Sequence, residues 1–587
     1  MNIARRLVET ARKMPDDIAV AQPLKSGNYR TVTFRELDTD SDRIAAALSK
    51  SGVKPGTKLA LLVRYGIDFI TLVFALYKTG AVLVLIDPGM GLRRMVGCLA
   101  EVEPDGFIAL PLVHAVRIFS RRFPKAKYNL TVGRRWLWGG LSLDAIKEAG
   151  KEKNNSCSLF PTPFSLAETQ PNDLAAIIFT SGSTGTAKGV AFTHRIFDTQ
   201  VEEIRRRYEI RPGEIDLACF PFFGLFNAAM GVTTVIPDMD PTRPVLVDPQ
   251  KIVDAANHWK ITQSFASPAL WNRVADYCLE TGCRFETLKR AVSAGAPISF
   301  ALLDKLKRCL PNDADIHTPY GATEALPIAS ISATEVLGET AEQTKQGGGV
   351  CVGKRFGQVQ WKIIAITDDP IPRLEDAREL PPGKIGELVV HGPQVTQRYV
   401  TRLEANALAK IIDANGEVWH RMGDVGYLDN ADRFWFCGRK AHRVEIPILP
   451  TLSQGEREKQ ERELSGTLFS IPCEAIFNQH PKVFRSALVG VPEPMILVEP
   501  LPQYFPKTAA EKEQLLAEIR ELAKTSPLTE GICRFGVHPK FPVDVRHNVK
   551  INRELLAETV SAVNTLTRAA KGPPKGGTEY RDKHGLD

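Results

Sequence analysis

Phe179-Thr-Ser-Gly-Ser-Thr-Gly-Thr-Ala-Lys-Gly189 follows directly on an apolar run, Leu174 to Phe179, that reads as a buried strand. Glycines 182, 185 and 189 permit positive φ and close approach of the backbone to a ligand. Successive backbone N–H groups in such a loop form a concavity for anions, and Lys188 adds a point charge. A polyphosphate is the occupant this chemistry calls for. The spacing departs from the Walker loop, which requires Gly-Lys-[Ser/Thr] after four free positions. Here the lysine precedes a glycine and no hydroxyl follows it. A flexible Gly/Ser linker is the competing reading, but linkers seldom sit on a buried strand with a lone lysine in fixed register.

Outward from this loop, helical patterns alternate with short Val/Ile/Leu runs through the first four hundred residues. Leu61 to Val63, Val82 to Ile86 and Ala291 to Ser293 read as further interior strands. That alternation predicts an α/β fold with largely parallel sheets. From Gly386 to Tyr399 the pattern is strand-rich, which predicts a small β-barrel-like subdomain. The character changes after Gly438-Arg439, so a large N-terminal domain is expected over residues 1–437 and a smaller α+β domain over 438–568. Within the latter, an insertion near 446–468 carries the run Glu456-Arg-Glu-Lys-Gln-Glu-Arg-Glu463, a solvated insert or exposed helix. Residues 569–587, with Lys571-Gly-Pro-Pro-Lys-Gly-Gly577, are expected to be a disordered tail.

The 587 residues suggest two to four domains, and a content of 43% hydrophobic and 24% charged residues is that of an ordinary soluble globular protein. A net charge of +7 is small for this length. It gives no reason to invoke nucleic acid, while leaving anionic substrates or a membrane surface open. The ten cysteines are scattered, with only Cys278 and Cys283 near each other, so neither a zinc site nor a disulfide framework is expected. The N-terminus lacks the apolar core of a signal peptide. The stretch Phe69 to Ile86 is broken by Lys78 and Gly80, and reads as a helix followed by a buried strand rather than a membrane span. A cytoplasmic location is expected. The basic, aromatic stretch Arg117-Ile-Phe-Ser-Arg-Arg-Phe123 reads either as an amphipathic surface helix or as a contact for a membrane or partner.

Taken with later segments, the glycine loop resembles that of the adenylate-forming superfamily, which includes acyl-CoA synthetases, luciferases and peptide-synthetase adenylation domains. Thr318-Pro-Tyr-Gly-Ala-Thr-Glu324 is similar to that family's adenine-and-magnesium motif, and Ser293-Ala-Gly-Ala-Pro297 to the strand end lining the adenine pocket. His420-Arg-Met-Gly-Asp-Val-Gly-Tyr427 resembles the segment whose aspartate holds the ribose hydroxyls, and Gly438-Arg439 matches the arginine at the domain boundary. Lys550, in Asn548-Val-Lys-Ile551, stands in the slot of the catalytic lysine. These pieces occur in the family's order over residues 171 to 553. The resemblance implies ATP and Mg²⁺ as cofactors and a mobile C-terminal domain. It implies Lys550, Lys188, Thr323 and Glu324 as catalytic residues, with Thr184 and Glu324 toward the metal. Nucleotide-binding positions would be Thr180, Ser181, Gly182, Ser183, Thr184, Gly185, Gly295, Ala296, Pro297, Tyr320, Gly321, Ala322, Asp424 and Arg439.

The departures from the general family point in one direction. Acyl-CoA synthetases place a histidine or aromatic after Pro-x-Phe, where this chain has Gly224 in Pro221-Phe-Phe-Gly224. The hinge aspartate or lysine expected two residues after Arg439 is Ala441, and the Lys-x-x-Gly strand is replaced by Arg443-Val-Glu445 and the charged insertion. The Gly-Lys of the last motif has become Val549-Lys550. These features are similar to those of the β-lactone synthetases of bacterial long-chain olefin biosynthesis. The characteristic stretches include Ile236-Pro-Asp-Met-Asp-Pro-Thr-Arg-Pro244, Trp435-Phe-Cys-Gly-Arg-Lys440 and Phe541-Pro-Val-Asp-Val-Arg-His-Asn548. That resemblance implies a long-chain 2-alkyl-3-hydroxy acid as substrate and partner enzymes that supply it and decarboxylate the lactone. A medium- or long-chain acyl-CoA ligase is the alternative.

Overall fold

The computed structural model describes residues 1–149, 163–180, 186–446, 466–491, 493–543 and 551–570. Two compact units divide after Ala441.

In the larger unit the apolar run Leu174–Phe179 is a strand, parallel to Val82–Leu85 (Val84 opposite Ile177) and antiparallel to Gly189–Thr193 (Phe179 opposite Gly189). The glycine-rich stretch is therefore the connection of a registered hairpin, although its residues 181–185 lie outside the described ones. Gly189 is there for want of space. A Cβ would stand 3.1 Å from Ile177 Cγ2 and 3.3 Å from Thr401, whose hydroxyl accepts the Gly189 N–H at 2.8 Å. Among the described residues this sheet has seven strands, parallel except for the hairpin.

The reading of Phe69 to Ile86 holds. Helix Ile67–Lys78 is buried all round and runs into the strand Val82–Leu85. Lys78, fully buried at its end, is held by Asp38 at 2.6 Å and Asp42 at 2.5 Å, so the charge that interrupts the apolar run is paired inside the core. The strand expected at Leu61 to Val63 instead spans Lys58–Leu62. Its start is polar: the Lys58 amide donates to the Asp105 carboxylate at 2.8 Å, a contact no apolar run announces.

A second, mixed sheet of fourteen strands among the described residues carries most of the candidate site. Ile215–Leu217, Gln263–Ala266, Arg290–Ser293 and Asp315–Ala322 run parallel, and the chain then reverses into Ala325–Ser332. Ala322 lies opposite Ala325, which leaves Thr323-Glu324 as the two-residue tip of that hairpin. Gly321 bends the strand just before the tip; a Cβ there would meet the Ala325 carbonyl at 2.6 Å. The strand-rich region around Gly386–His391 is antiparallel and continuous with this sheet through Val418–Leu428 and Arg433–Arg439.

The smaller unit has a three-stranded sheet, Val483–Gly490, Pro494–Pro500 and Arg534–Val537. Alternation along the first strand puts Leu488 on the side of helices Ser470–Phe477 and Ala509–Ala523. Ala487 and Val489 fall on the side of helix Arg553–Ala570. Buried Glu474 pairs with partly buried Arg553 at 2.7 Å. Val444–Glu445 pairs with Thr467–Leu468, closing the neck of the charged insertion; residues 447–465 lie outside the described ones.

Candidate active site

A cavity of about 720 Å³ opens in the larger unit between the two sheets' loop ends. One end is polar. Thr180, Lys188, Gly295, Tyr320, Gly321, Ala322, Thr323, Glu324 and Arg439 all line it. The hairpin register explains the first pair: Thr180 N–H donates to the Lys188 carbonyl at 3.0 Å and Thr180 Oγ1 accepts the Lys188 N–H at 3.1 Å. The Lys188 ammonium then stands 5.3 Å from the centre of the Tyr399 ring, a cation–π arrangement. Gly295 has φ +92°, a backbone geometry that costs an L side chain strain, and Ala296 and Pro297 follow it directly.

Tyr320, Asp424 and Arg439 are brought together from distant segments. Asp424 and Arg439 face each other across neighbouring strands and pair at 3.0 Å. The Tyr320 hydroxyl donates to the other oxygen of the Asp424 carboxylate. Burial and that adjacent carboxylate both hold the Tyr320 phenol far above its ordinary range. Behind them, the buried pair Arg421–Glu387 at 2.6 Å, with Lys440 on the same carboxylate at 3.2 Å, fixes the strand that carries Asp424. Ser181, Gly182, Ser183, Thr184, Gly185 and Lys550 lie outside the described residues.

Around Glu324 the structure adds residues that sequence reasoning missed. The Tyr399 hydroxyl donates to Glu324 Oε1 at 2.7 Å, and Thr396 donates to the Glu324 carbonyl through its amide at 2.9 Å and its hydroxyl at 2.8 Å. Lys410, almost wholly buried, donates to Thr396 and has its ammonium 5.8 Å from the Tyr399 ring centre. Burial lowers its pKa to about 7, with the Glu324 charge opposing the shift. Burial and Lys410 together keep His420 neutral, well below its ordinary range. A lysine directly before Ile411-Ile412 was the available signal for Lys410. Nothing local marks Tyr399.

The other end is largely apolar. Phe192 and Phe197 stack at 5.2 Å, Phe223 and Phe265 at 3.6 Å, and Leu225, Phe226 and Met230 complete the wall. One carboxylate lies in this wall: Asp216 accepts from Asn227 at 2.7 Å, and burial pushes its pKa up to about 7. Gly224 belongs to the same helix, Pro221–Met230. A Cβ at Gly224 would sit 2.1 Å from Tyr65 Oη, so the phenol fills the space a side chain would need. That hydroxyl is buried without a hydrogen-bond partner among the described residues.

An olefin β-lactone synthetase of Xanthomonas campestris pv. campestris is 42% identical over 571 residues, spanning 95% of this chain and 97% of its own length. One of Stenotrophomonas maltophilia is 41% identical over 96% of this chain and 98% of its own. Among solved structures, an anthranilate CoA ligase in complex with anthranoyl-AMP shares the fold, with a TM-score of 0.73 at 17% identity over 96% of this chain and 98% of that one. Residues 7–400 match the family model for AMP-binding enzymes. The chain belongs to the AMP-binding enzyme family and, within it, groups with the olefin β-lactone synthetases.

Proposed function

We propose that the protein activates a long-chain 2-alkyl-3-hydroxy acid with ATP and closes it to a β-lactone. A carboxylate oxygen of the substrate attacks the α-phosphorus and pyrophosphate leaves. The substrate's own 3-hydroxyl oxygen then attacks the acyl carbon, the bond to AMP breaks, and the hydroxyl proton is released. The observation that carries this reading is one cavity that joins a strip of polar and charged residues to an aromatic wall, in a chain related end to end to olefin β-lactone synthetases.

Two anions must meet in the first step, so the site has to gather positive charge without covalent chemistry. Lys188 and Lys550 take that role, with Thr323 toward the α-phosphate. Tyr320 supplies a face for adenine, and Asp424 with Arg439 holds the ribose end. Ser181 to Gly185 cradle the phosphates through their backbone. Glu324, a hard carboxylate already oriented by Tyr399, suits an ion that is carried chiefly on phosphate oxygens. Mg²⁺ bound there and at Thr184 would supply charge neutralisation on the polyphosphate. In the second step, nucleophile and electrophile belong to one molecule, an advantage that can reach roughly 7–11 kcal/mol. No external thiol is required, which agrees with Gly224 and Ala441 where acyl-CoA synthetases keep other residues. The free cysteines among the described residues support a reducing, cytoplasmic setting.

One incubation tests the reading: ATP, Mg²⁺ and a 2-alkyl-3-hydroxy acid, with and without CoA, followed by mass analysis. Lactone and AMP are expected, CoA changing neither rate nor product. A 2-alkyl acid without the hydroxyl should release pyrophosphate once and give no lactone. Rapid conversion of a simple fatty acid to its CoA thioester would replace this reading with that of an acyl-CoA ligase.

A further inference from the structure

We infer that helix Pro111–Ser120 and the neighbouring loop Val132–Gly140 form a face that docks on an anionic lipid surface. The helix stands on buried His114, whose Nε2 lies 3.1 Å from the Leu130 carbonyl. On it, Leu112, Ala115, Val116 and Phe119 fall at the spacing of a single helical stripe. Leu112 is 70% exposed and Phe119 83%, with Ile118 beside them. The loop stands beside the helix on its His114 side and carries further exposed apolar groups. The Trp138 ring packs 5.7 Å from His114, Trp136 packs 5.2 Å from Trp138, and Trp136 and Leu137 are exposed to solvent.

Charge identifies the occupant. Between Asp105 and Asp144 there is no acidic residue, and seven basic ones occur: Arg117, Arg121, Arg122, Lys125, Lys127, Arg134 and Arg135. The whole chain has 75 Lys and Arg against 68 Asp and Glu, so this segment alone accounts for the net +7. Arg121, Arg122 and Arg134 are exposed and have no carboxylate partner among the described residues. Exposed Phe, Leu and Trp interleaved with unpaired arginines suit the boundary of an anionic bilayer, where apolar groups enter the acyl region and guanidinium groups stay among phosphates. Protein interfaces also gather aromatic residues and arginine, but a run of seven cations without a carboxylate matches a sheet of phosphate headgroups better than a protein surface of mixed charge. The inference does not depend on the reaction assigned above.

Flotation of the full-length protein with vesicles is the test. It should bind vesicles of equal parts phosphatidylglycerol and phosphatidylcholine, release at high salt, and ignore phosphatidylcholine alone. Two triple variants, Leu112→Ser/Phe119→Ser/Leu137→Ser and Arg121→Glu/Arg122→Glu/Arg134→Glu, should each bind about tenfold more weakly or worse. Both should keep wild-type melting temperature and pyrophosphate release, since none of these residues touches the cavity. Absence of binding to either vesicle, or unchanged binding by both variants, would overturn the proposal. So would a wild-type dimer that these substitutions dissolve, which would make the face a contact between two copies.

Discussion

The two ends of the cavity are built on opposite plans. At the polar end several of the described side chains are held by one another: Tyr320 and Arg439 on Asp424, Tyr399 on Glu324, Thr396 on the Glu324 backbone, and Lys410 on Thr396. At the apolar end the walls are chiefly rings and aliphatic groups, and two polar groups in or beside them are poorly satisfied. Asp216 has Asn227 and little else to offset its burial, and Tyr65 Oη has no hydrogen-bond partner among the described residues. These contacts fix the side chains on one another, and such fixed dipoles are how electrostatic stabilisation is obtained without reorganisation at the moment of reaction. The apolar end sets shape, and there the loss of a single group is felt through volume rather than charge.

If that contrast holds, single substitutions at the polar end should damage rate and leave the fold intact. Lys550→Ala, at a residue outside the described ones that the family resemblance assigns to the same chemistry, is expected to have the largest effect, about 10²–10³ in the rate of pyrophosphate release, with an unchanged melting temperature. A rate within about threefold of wild type would remove Lys550 from the chemistry. Glu324→Gln should raise the Mg²⁺ concentration needed for half-maximal activity about tenfold or more, because an amide oxygen is a weaker ligand for a hard cation. Superimposable magnesium titrations would show that Glu324 does not serve the metal.

At the apolar end, substitutions should register as stability first. Gly224→Ala places a methyl group against Tyr65 Oη and should cost about 1–3 kcal/mol in chemical denaturation. Tyr65→Phe removes only the clashing, unpartnered atom and should be nearly neutral. The double variant should recover most of the loss, and additive costs would refute the steric account. The effect at Asp216 is one of pH dependence. Its carboxyl titrates near about 7 in the folded chain and near ~3.9 when unfolded, so between those values the folded state binds more protons. That contribution is fully present below ~3.9 and is lost as the pH rises through about 7. Asp216→Asn should flatten this slope, and a pH-independent stability difference from wild type would contradict the assignment.

The same contrast governs what could be read from residue order. The strand Leu174–Phe179 with its glycine loop, and the segment ending in Thr323-Glu324, were legible because each is contiguous, whereas the return strands Gly189–Thr193 and Ala325–Ser332 that make hairpins of them were not. The membrane-length apolar stretch resolved into helix and strand because Lys78 interrupts it. Tyr399 and Lys410 were not legible as site residues. Their function lies in contacts with Glu324 and Thr396 made only once Ala325–Ser332 and Val418–Leu428 share one sheet. Gly224 was visible as a departure from pattern, but its cause, Tyr65, sits far upstream in an unremarkable turn.

The placement of the first strand bears on how the chain can be made. Ile18–Pro23 pairs with Tyr29–Thr33 on one edge, but on the other its neighbour is Thr233–Val235, with Val20 opposite Thr234. The seven-stranded sheet has all its strands once Thr193 has left the ribosome, whereas the N-terminal hairpin keeps one edge open until residue 235 emerges. Throughout that interval of synthesis an apolar strand edge is available to any other chain. A nascent chain stalled before Thr233 would carry a finished sheet and an unfinished one, the second exposed to aggregation until translation resumes.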